Sequence, residues 1–275
     1  MKGTLTGKTA WVTGSSRGIG RVIAGHLASM GAHIVIHGTS SHSTRAFGEA
    51  ESLQAVADEI ELEQGVAVLP VTGDLADDAV VQDAVKRIRE RFGRIDVLVN
   101  CAGGDIGAEG TLSSTGGKPI GNDPIHMSVA DIRSVVDRNL MTCILVCRAV
   151  APEMIERREG VIVNIGSIAG LAGNTHGAVY ATAKAAVHEY TRCLADMLRP
   201  YDVRVNAVAP GLIITPRIEA TRPIDHARRV TGGALDRYGW PIEVARTVAF
   251  LVADTSAYVT GQVIRVDGGR QLWPA

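Results

Sequence analysis

Aromatic residues are scarce in this sequence, and neither sign of charge is in excess. Phe, Trp and Tyr make up 4% of the 275 residues, and the formal net charge is −1. A nucleic-acid-binding surface needs concentrated basic side chains, whereas the Lys and Arg residues here are scattered along the chain. We therefore expect no nucleic-acid partner.

Long hydrophobic runs and cysteine pairs are also lacking. No apolar stretch approaches the roughly 20 residues that a helix needs to cross a bilayer, and residues 1–8 lack the apolar core of a signal peptide. The four cysteines form no CxxC pair and no zinc-like spacing, and Cys143 and Cys147 are expected to be buried free thiols. These absences predict a cytoplasmic protein with no membrane partner and no bound metal.

Short apolar runs alternate regularly with longer amphipathic ones. The predicted strands are Thr9–Thr13, Ala32–His37, Ala67–Thr72, Val97–Asn100, Gly160–Ile165, Val203–Val208 and Val263–Val266. Helices are predicted between them, at Gly18–Met30, Leu53–Glu63, Ala76–Phe92, Val129–Arg157, Val179–Leu198 and Ile242–Val252. Apolar runs without polar alternation are typical of parallel strands buried on both faces. The pattern predicts a single α/β domain over residues 1–275, a doubly wound parallel-sheet (Rossmann) domain with helices on both faces.

Three segments are predicted to be long loops. They are Thr39–Ala50, rich in Ser, Gly103–Met127, rich in Gly, and Leu212–Arg229, which contains four arginines. Long loops in a compact domain are usually functional or disordered, and ligands of such sheets bind at the carboxyl ends of the strands. We expect residues 104–127 and 212–229 to be substrate loops, with residues 168–179 as a third wall.

A glycine-rich turn joins the first predicted strand to the first predicted helix. Its sequence from Thr13 to Gly20 is TGSSRGIG. Glycines at these positions allow a tight turn, a close approach of the backbone to a pyrophosphate, and close helix packing. The helix N-terminus also offers free N–H groups and a partial positive charge to phosphates. The position of the turn between a strand and a helix predicts a dinucleotide site.

The TGxxxGIG spacing resembles the cofactor turn of the short-chain dehydrogenase/reductase family. Further matches follow in the family's order along the chain: Asp74-Leu75, Asn100-Cys101-Ala102-Gly103, Asn139, Ser167, Tyr180, Lys184, Pro210-Gly211 and Val266-Asp267-Gly268-Gly269. Cys101 stands where the family usually carries a second Asn. The resemblance implies an enzyme that interconverts a secondary alcohol and a ketone with NAD or NADP, and it implies a homotetramer.

The same resemblance assigns roles to individual residues. Tyr180 would be the acid/base, Lys184 would lower the pKa of that phenol and hold the nicotinamide ribose, and Ser167 would position the substrate oxygen. Asn139 would support a water-linked proton path to Lys184. Four-residue spacing puts Tyr180 and Lys184 on one helix face, where an ammonium would stabilise a phenolate. Besides Tyr180 and Lys184, the expected cofactor contacts are Gly14, Ser16, Arg17, Gly18, Ile19, Gly20, Thr39, Ser40, Asp74, Leu75, Asn100, Ala102, Gly103, Pro210, Gly211, Ile213 and Thr215.

The residues after the second strand bear on the choice between NAD and NADP. An NAD enzyme usually offers a carboxylate to the ribose 2′-hydroxyl at this point, but the run HGTSS from His37 to Ser41 has none. The hydroxyls of Thr39 and Ser40 and the guanidinium of Arg17 could hold a 2′-phosphate instead. This favours NADP, although small residues here also permit NAD.

Charged residues in the predicted substrate loops bear on the substrate. Arg217, Arg222, Arg228 and Arg229 would suit a polar small molecule such as a sugar, a polyol or an acidic metabolite, but a solvated lid helix explains them somewhat better. A 3-oxoacyl thioester reductase and a non-catalytic dinucleotide-binding regulatory protein remain alternatives. The Trp273-Pro274 tip is predicted to dock on a neighbouring subunit.

Overall fold

The computed structural model describes residues 4–111, 113 and 115–273. Within these residues, seven strands form one sheet in the order β3-β2-β1-β4-β5-β6-β7, and every neighbouring pair is parallel. The strands are β1 Thr9–Val12, β2 His33–Gly38, β3 Val68–Thr72, β4 Val97–Asn100, β5 Gly160–Ile165, β6 Val203–Pro210 and β7 Val263–Val266. The predicted doubly wound parallel sheet is confirmed.

Helices pack on both faces of this sheet. Those described are α1 Gly18–Ser29, α2 Leu53–Gln64, α3 Asp78–Phe92, α4 Val129–Val136, α5 Thr142–Arg157, α6 Ala178–Leu198, α7 Pro216–Thr221 and α8 Pro241–Val252. None of them is long and apolar enough to cross a membrane.

The central strands are buried on both faces because alternate side chains enter two separate cores. On β1, Ala10 and Val12 pack into the core shared with α1, α2 and α8. Trp11 points the other way, into the core shared with α3, α5 and α6, and is fully buried. Burying one large apolar side chain contributes about 1.5–3 kcal/mol. This two-sided burial explains why the strand sequences are continuously apolar.

The predicted long helix Val129–Arg157 is interrupted in its middle. A π-helical turn, Asp137–Met141, separates α4 from α5. At its centre the Asn139 Nδ2 group donates hydrogen bonds to Val135 O at 2.8 Å and to Gly104 O at 2.9 Å. Single π turns inside α-helices are frequent at functional sites, and hydrophobic periodicity does not reveal them.

Parts of the predicted loops are helical. Residues 212–229 contain α7, whose first turn is capped by the Thr215 hydroxyl, which accepts the Ile218 N–H at 3.3 Å. Residues 39–50 contain a 3₁₀ turn, Ser43–Phe47. Trp273 is exposed and its carbonyl accepts a hydrogen bond from Arg265. Pro274 lies outside the described residues, so docking of this tip stays a prediction.

Candidate active site

A cavity of about 540 Å³ opens at the carboxyl ends of the strands, where the sequence predicted the ligand. Predicted site residues lining it are Gly14, Ser16, Arg17, Gly18, Ile19, Gly20, Thr39, Asp74, Leu75, Ala102, Gly103, Ser167, Tyr180, Lys184, Pro210, Gly211, Ile213 and Thr215. Three predicted residues, Ser40, Asn100 and Asn139, do not line it. The chain thus brings most of the predicted set together around one space.

The glycine turn packs tightly against the loop that follows β4. A Cβ placed on Gly14 would lie 2.7 Å from Ala102 Cα, and one on Gly20 would lie 2.5 Å from Gly14 O. Thr13 Oγ1 accepts the backbone N–H groups of Cys101 and Ala102, both at 3.0 Å. Larger residues at these two positions would collide with backbone atoms, whereas a Cβ on Gly18, which lines the cavity, would meet only Thr215 Cγ2, at 3.9 Å. The turn therefore packs closely on its protein side and leaves its cavity side open to a dinucleotide backbone.

His37 supports the glycine turn and was not among the predicted site residues. Its Nδ1 accepts the Gly14 N–H at 3.1 Å, and its Nε2 donates to Gly73 O at 3.0 Å. Burial lowers the pKa of His37 to about 4, which keeps the ring neutral and Nδ1 free to accept. Its position at the end of a buried strand was visible in the sequence, but its partners were not.

The segment after β2 folds over the start of α1. The Arg17 Nη1 group donates to Ser43 O at 2.6 Å, and its guanidinium lies 5.5 Å from the centroid of the Phe47 ring. From the same segment, Glu49 Oε2 accepts the Gly18 N–H at 2.7 Å. Glu49 lines the cavity and was not among the predicted residues.

Ser167, Tyr180 and Lys184 all line the cavity. Tyr180 and Lys184 lie one turn apart on α6, and Lys184 Nζ is 5.9 Å from the centroid of the Tyr180 ring. Lys184 is buried and donates to Ile165 O at 2.7 Å. Ser167 follows β5, where its hydroxyl accepts the Ala169 N–H at 3.1 Å.

The environment of these groups shifts their pKa values in opposite directions. Burial raises the pKa of Tyr180, and the negative charge of Asp105 raises it further. The hydrogen bond with the Ser167 hydroxyl lowers this pKa, and so do the positive charges of Arg217 and Arg222. Burial lowers the pKa of Lys184. The cations that favour the Tyr180 phenolate are thus arginines near α7. The role expected of Lys184 on this pKa stays a prediction.

Asn139 and Lys184 both lie close to Gly103. A Cβ on Gly103 would lie 2.6 Å from Asn139 Oδ1 and 3.3 Å from Lys184 Nζ. Asn139 Oδ1 also accepts the Gly104 N–H at 2.9 Å. The amide of Asn139 therefore holds the loop after β4, and the water-linked proton path stays a prediction.

Ser40 and Asn100 face other neighbours. Asn100 is buried, and its Nδ2 donates to Asn164 Oδ1 at 2.9 Å and to Cys147 Sγ at 3.1 Å, which ties β4 to β5 and α5. The carbonyl of Ser40 accepts the Ser43 N–H at 3.3 Å and closes the 3₁₀ turn. Their predicted cofactor contacts have no support from this geometry.

The arginines of residues 212–229 divide into two pairs. Arg217 and Arg222 line the cavity. Arg228 and Arg229 instead form ion pairs with Asp236 and Glu219, away from the cavity lining. His176, in the loop before α6, also lines the cavity. Within the described residues, no group of three His, Cys, Asp or Glu side chains could hold a metal ion.

Comparison with known proteins identifies the family. The model of the short chain dehydrogenase family matches residues 8–224. The chain belongs to the short-chain dehydrogenase/reductase family. It is 40% identical over 272 residues to the cyclohexanol dehydrogenase of Rhodococcus sp. strain TK6, covering 96% of each chain. It is 37% identical over 271 residues to the 3-oxoacyl-[acyl-carrier-protein] reductase of Aquifex aeolicus, covering 98% of this chain and 99% of that protein.

A solved structure agrees with this assignment. The 7α-hydroxysteroid dehydrogenase complexed with NADH and 7-oxo glycochenodeoxycholic acid superposes with a TM-score of 0.82 at 28% identity, covering 96% of this chain and 94% of that one. This short-chain dehydrogenase/reductase is therefore an NAD(P)-dependent oxidoreductase that acts on the CH–OH/C=O pair of a secondary alcohol and its ketone.

Proposed function

We propose that the substrate of this dehydrogenase is a polar small molecule that carries a negative charge, such as a sugar acid or another acidic metabolite. The observation that carries this proposal is the pair Arg217 and Arg222 on the wall of the cavity that holds Tyr180. Both charges act on the Tyr180 phenol, so both lie within electrostatic reach of the reacting oxygen.

Arg217 is held in place by the first substrate loop. Its Nη2 donates to Asp105 O at 2.7 Å and its Nε to Gly116 O at 3.4 Å. Its Nη1 group lies near Gly104 at the cavity wall. A guanidinium fixed through its other nitrogens is well suited to bind a carboxylate. This supports the roles proposed for residues 104–127 and 212–229 as substrate loops.

The proposed chemistry divides the work between three side chains. The bound nicotinamide ring supplies the hydride acceptor or donor. In the oxidation direction, Tyr180 takes the proton of the substrate hydroxyl, while the Ser167 hydroxyl donates a hydrogen bond to the same oxygen. The Lys184 ammonium holds the ribose hydroxyls and favours the phenolate form of Tyr180. Reduction runs through the same groups in reverse.

For the cofactor we propose a preference for NADP. Ser16, Arg17 and Thr39 line the cavity at the end of β2, where hydroxyls and a guanidinium would hold a 2′-phosphate. We also propose a cytoplasmic homotetramer in which residues 1–275 act as one domain. Membership of the family, for which a homotetramer is expected, supports this assembly, and light scattering would give its mass.

The experiment compares matched alcohols with and without a carboxylate, for example cyclohexanol and a hydroxycyclohexanecarboxylate. Turnover is followed by nicotinamide absorbance for the wild type, Arg217→Met and Arg222→Met. We expect the carboxylate substrate to have the higher kcat/KM, and each variant to lose about tenfold on it, as expected for a charged contact worth about 1.4 kcal/mol. Loss on the neutral alcohol should be smaller, because there each variant removes only the charge that favours the Tyr180 phenolate and no contact with the substrate.

Two controls complete the experiment. Tyr180→Phe should bind the nicotinamide cofactor and lose turnover on every substrate; turnover at the wild-type rate would contradict the proposed chemistry. Acetoacetyl-coenzyme A represents the second candidate, a 3-oxoacyl thioester, which the 37% identical reductase favours. Faster turnover of this thioester than of either alcohol, with Arg217→Met unaffected, would replace the proposed substrate class by that one.

A further inference from the structure

The segment between β2 and α2 places a carboxylate inside the cofactor cradle. Glu49 Oε2 accepts the Gly18 N–H at 2.7 Å, and both residues line the cavity. Gly18 is the first residue of α1, where N–H groups without helical partners and the helix dipole attract anions. Glu49 thus takes one of the N–H groups that a dinucleotide phosphate would approach.

Several contacts hold Glu49 in this position. The Arg21 Nη1 group donates to the backbone carbonyl of Glu49 at 2.6 Å. Arg17 fastens the same segment through Ser43 O at 2.6 Å and through the Phe47 ring. Two arginines at the start of α1 therefore clamp the segment, and its carboxylate is directed to the helix terminus.

The Glu49 carboxylate also interacts electrostatically with the Arg17 guanidinium, which would hold a 2′-phosphate. Burial lowers the pKa of Arg17, and the negative charge of Glu49 opposes this shift, so the two charges are close and partly shielded from water. A 2′-phosphate arriving at Arg17 would meet the negative charge of Glu49 nearby. NAD carries a hydroxyl instead of this phosphate and escapes most of the repulsion.

We propose that Glu49 discriminates between the cofactors: it weakens the binding of NADP relative to NAD, and it leaves the Gly18 N–H when either dinucleotide binds. Arg17 and Thr39 favour the 2′-phosphate, and Glu49 opposes them. The ratio of the NADP affinity to the NAD affinity therefore depends on these opposing contributions from residues 17–49. This inference requires dinucleotide binding but no particular substrate.

The test measures binding without catalysis. NADPH and NADH are titrated into the wild type, Glu49→Gln and Glu49→Ala while nicotinamide fluorescence is recorded. Glu49→Gln keeps the size and the acceptor but removes the charge. We expect its Kd for NADPH to fall about fivefold, equivalent to about 1 kcal/mol, and its Kd for NADH to change less than twofold. Glu49→Ala also frees the Gly18 N–H, so both dinucleotides should bind more tightly.

Glu51→Gln is the matched control. Glu51 lies two residues further along and is exposed; its carboxylate lies 3.4 Å from Arg45 Nη2, while its backbone carbonyl, which the substitution leaves in place, accepts from Arg45 Nε at 2.7 Å. Its variant should keep both Kd values within twofold of the wild type. The proposal is overturned if Glu49→Gln leaves the NADPH/NADH ratio unchanged, if Glu51→Gln shifts it equally, or if Glu49→Ala weakens both dinucleotides. The ratio in the wild type tests the NADP preference separately.

Discussion

His188, on α6, contacts the backbone of Ser167. Its Nε2 accepts the backbone N–H of Ser167 at 3.3 Å, and the residue is fully buried. Burial, together with the charges of Lys184 and Arg192, lowers the pKa of His188 to about 4. The ring is therefore neutral at neutral pH, with Nε2 as the acceptor and the proton on Nδ1. His188 is not among the residues that line the cavity, so we expect it to act as a positioning residue for Ser167.

Replacing His188 by Leu tests this role. Leu has no acceptor, so the Ser167 N–H loses its partner and the serine hydroxyl is less well placed. We expect kcat to fall about tenfold with little change in KM or in the Kd for NADH. His188→Gln, which keeps an acceptor, should restore most of the rate. A loss of kcat that is equal in both variants would contradict a role in positioning and indicate a packing defect.

The catalytic set could be predicted from the sequence because each member lies in a recognisable local pattern. Tyr180 and Lys184 are four residues apart on one helix, and Ser167 directly follows an apolar strand. Glu49 could not be predicted, because its partner Gly18 is 31 residues away and the segment after β2 that carries Glu49 has no regular hydrophobic pattern. His188 was hidden for the same reason: its partner lies 21 residues earlier, across a loop.

At the scale of elements, the π turn at Asp137–Met141 connects α4 and α5 to the loop after β4. Asn139 Oδ1 accepts the Gly104 N–H and its Nδ2 donates to Gly104 O, so the two elements are joined by a pair of hydrogen bonds of 2.9 Å. Gly103 fits between this amide and Lys184, with a φ of +153°. The sequence predicted one uninterrupted helix here, since a side chain that bonds to a distant backbone leaves the hydrophobic pattern unchanged.

Gly103→Ala should disrupt this junction. An added Cβ would lie 2.6 Å from Asn139 Oδ1, and the positive φ disfavours any residue with a Cβ. We expect a loss of about 1–3 kcal/mol in the free energy of unfolding and a fall in kcat, because Lys184 Nζ is 3.3 Å from the same Cβ. Urea unfolding and steady-state kinetics would measure the two effects.

Gly25→Ala is the matched control for this substitution. Gly25 lies inside α1, and an added Cβ would meet no atom within 4 Å. Alanine is the better helix former, so this variant should gain about 0.5–1 kcal/mol. If Gly103→Ala were as stable and as active as the wild type, the close packing of Asn139, Gly103 and Lys184 would be refuted.

At the scale of the whole molecule, the sheet order and the two cores follow from the alternation of apolar strands and amphipathic helices. The cavity forms where the strands end, and two buried histidines support it from different elements. His37 on β2 holds the glycine turn, and His188 on α6 holds Ser167. Burial lowers both pKa values to about 4. The glycine turn and the Ser167 backbone are therefore each held by a neutral imidazole.

These histidines should make stability dependent on pH in the range from 4 to 6.5. In this range the unfolded chain binds a proton on each histidine, with an ordinary pKa of about 6.5, while the folded chain does not. The free energy of unfolding therefore increases as the pH rises through this window. It decreases again as the pH falls. Between pH 7 and pH 5 the loss should be about 2 kcal/mol for each histidine.

Urea unfolding at pH 7 and at pH 5 measures this loss, and substitution assigns it. His37→Gln should remove about 2 kcal/mol of the loss, because one neutral imidazole is gone, and replacing His176, whose side chain is exposed, by Gln is the control. The carboxyls of Glu159 and Glu243, whose ion pairs lower their pKa values to about 2, lose their stabilisation below about pH 4.5, outside this comparison. A pH dependence that is the same in the wild type and His37→Gln would mean that the imidazole of His37 is not held neutral by the fold.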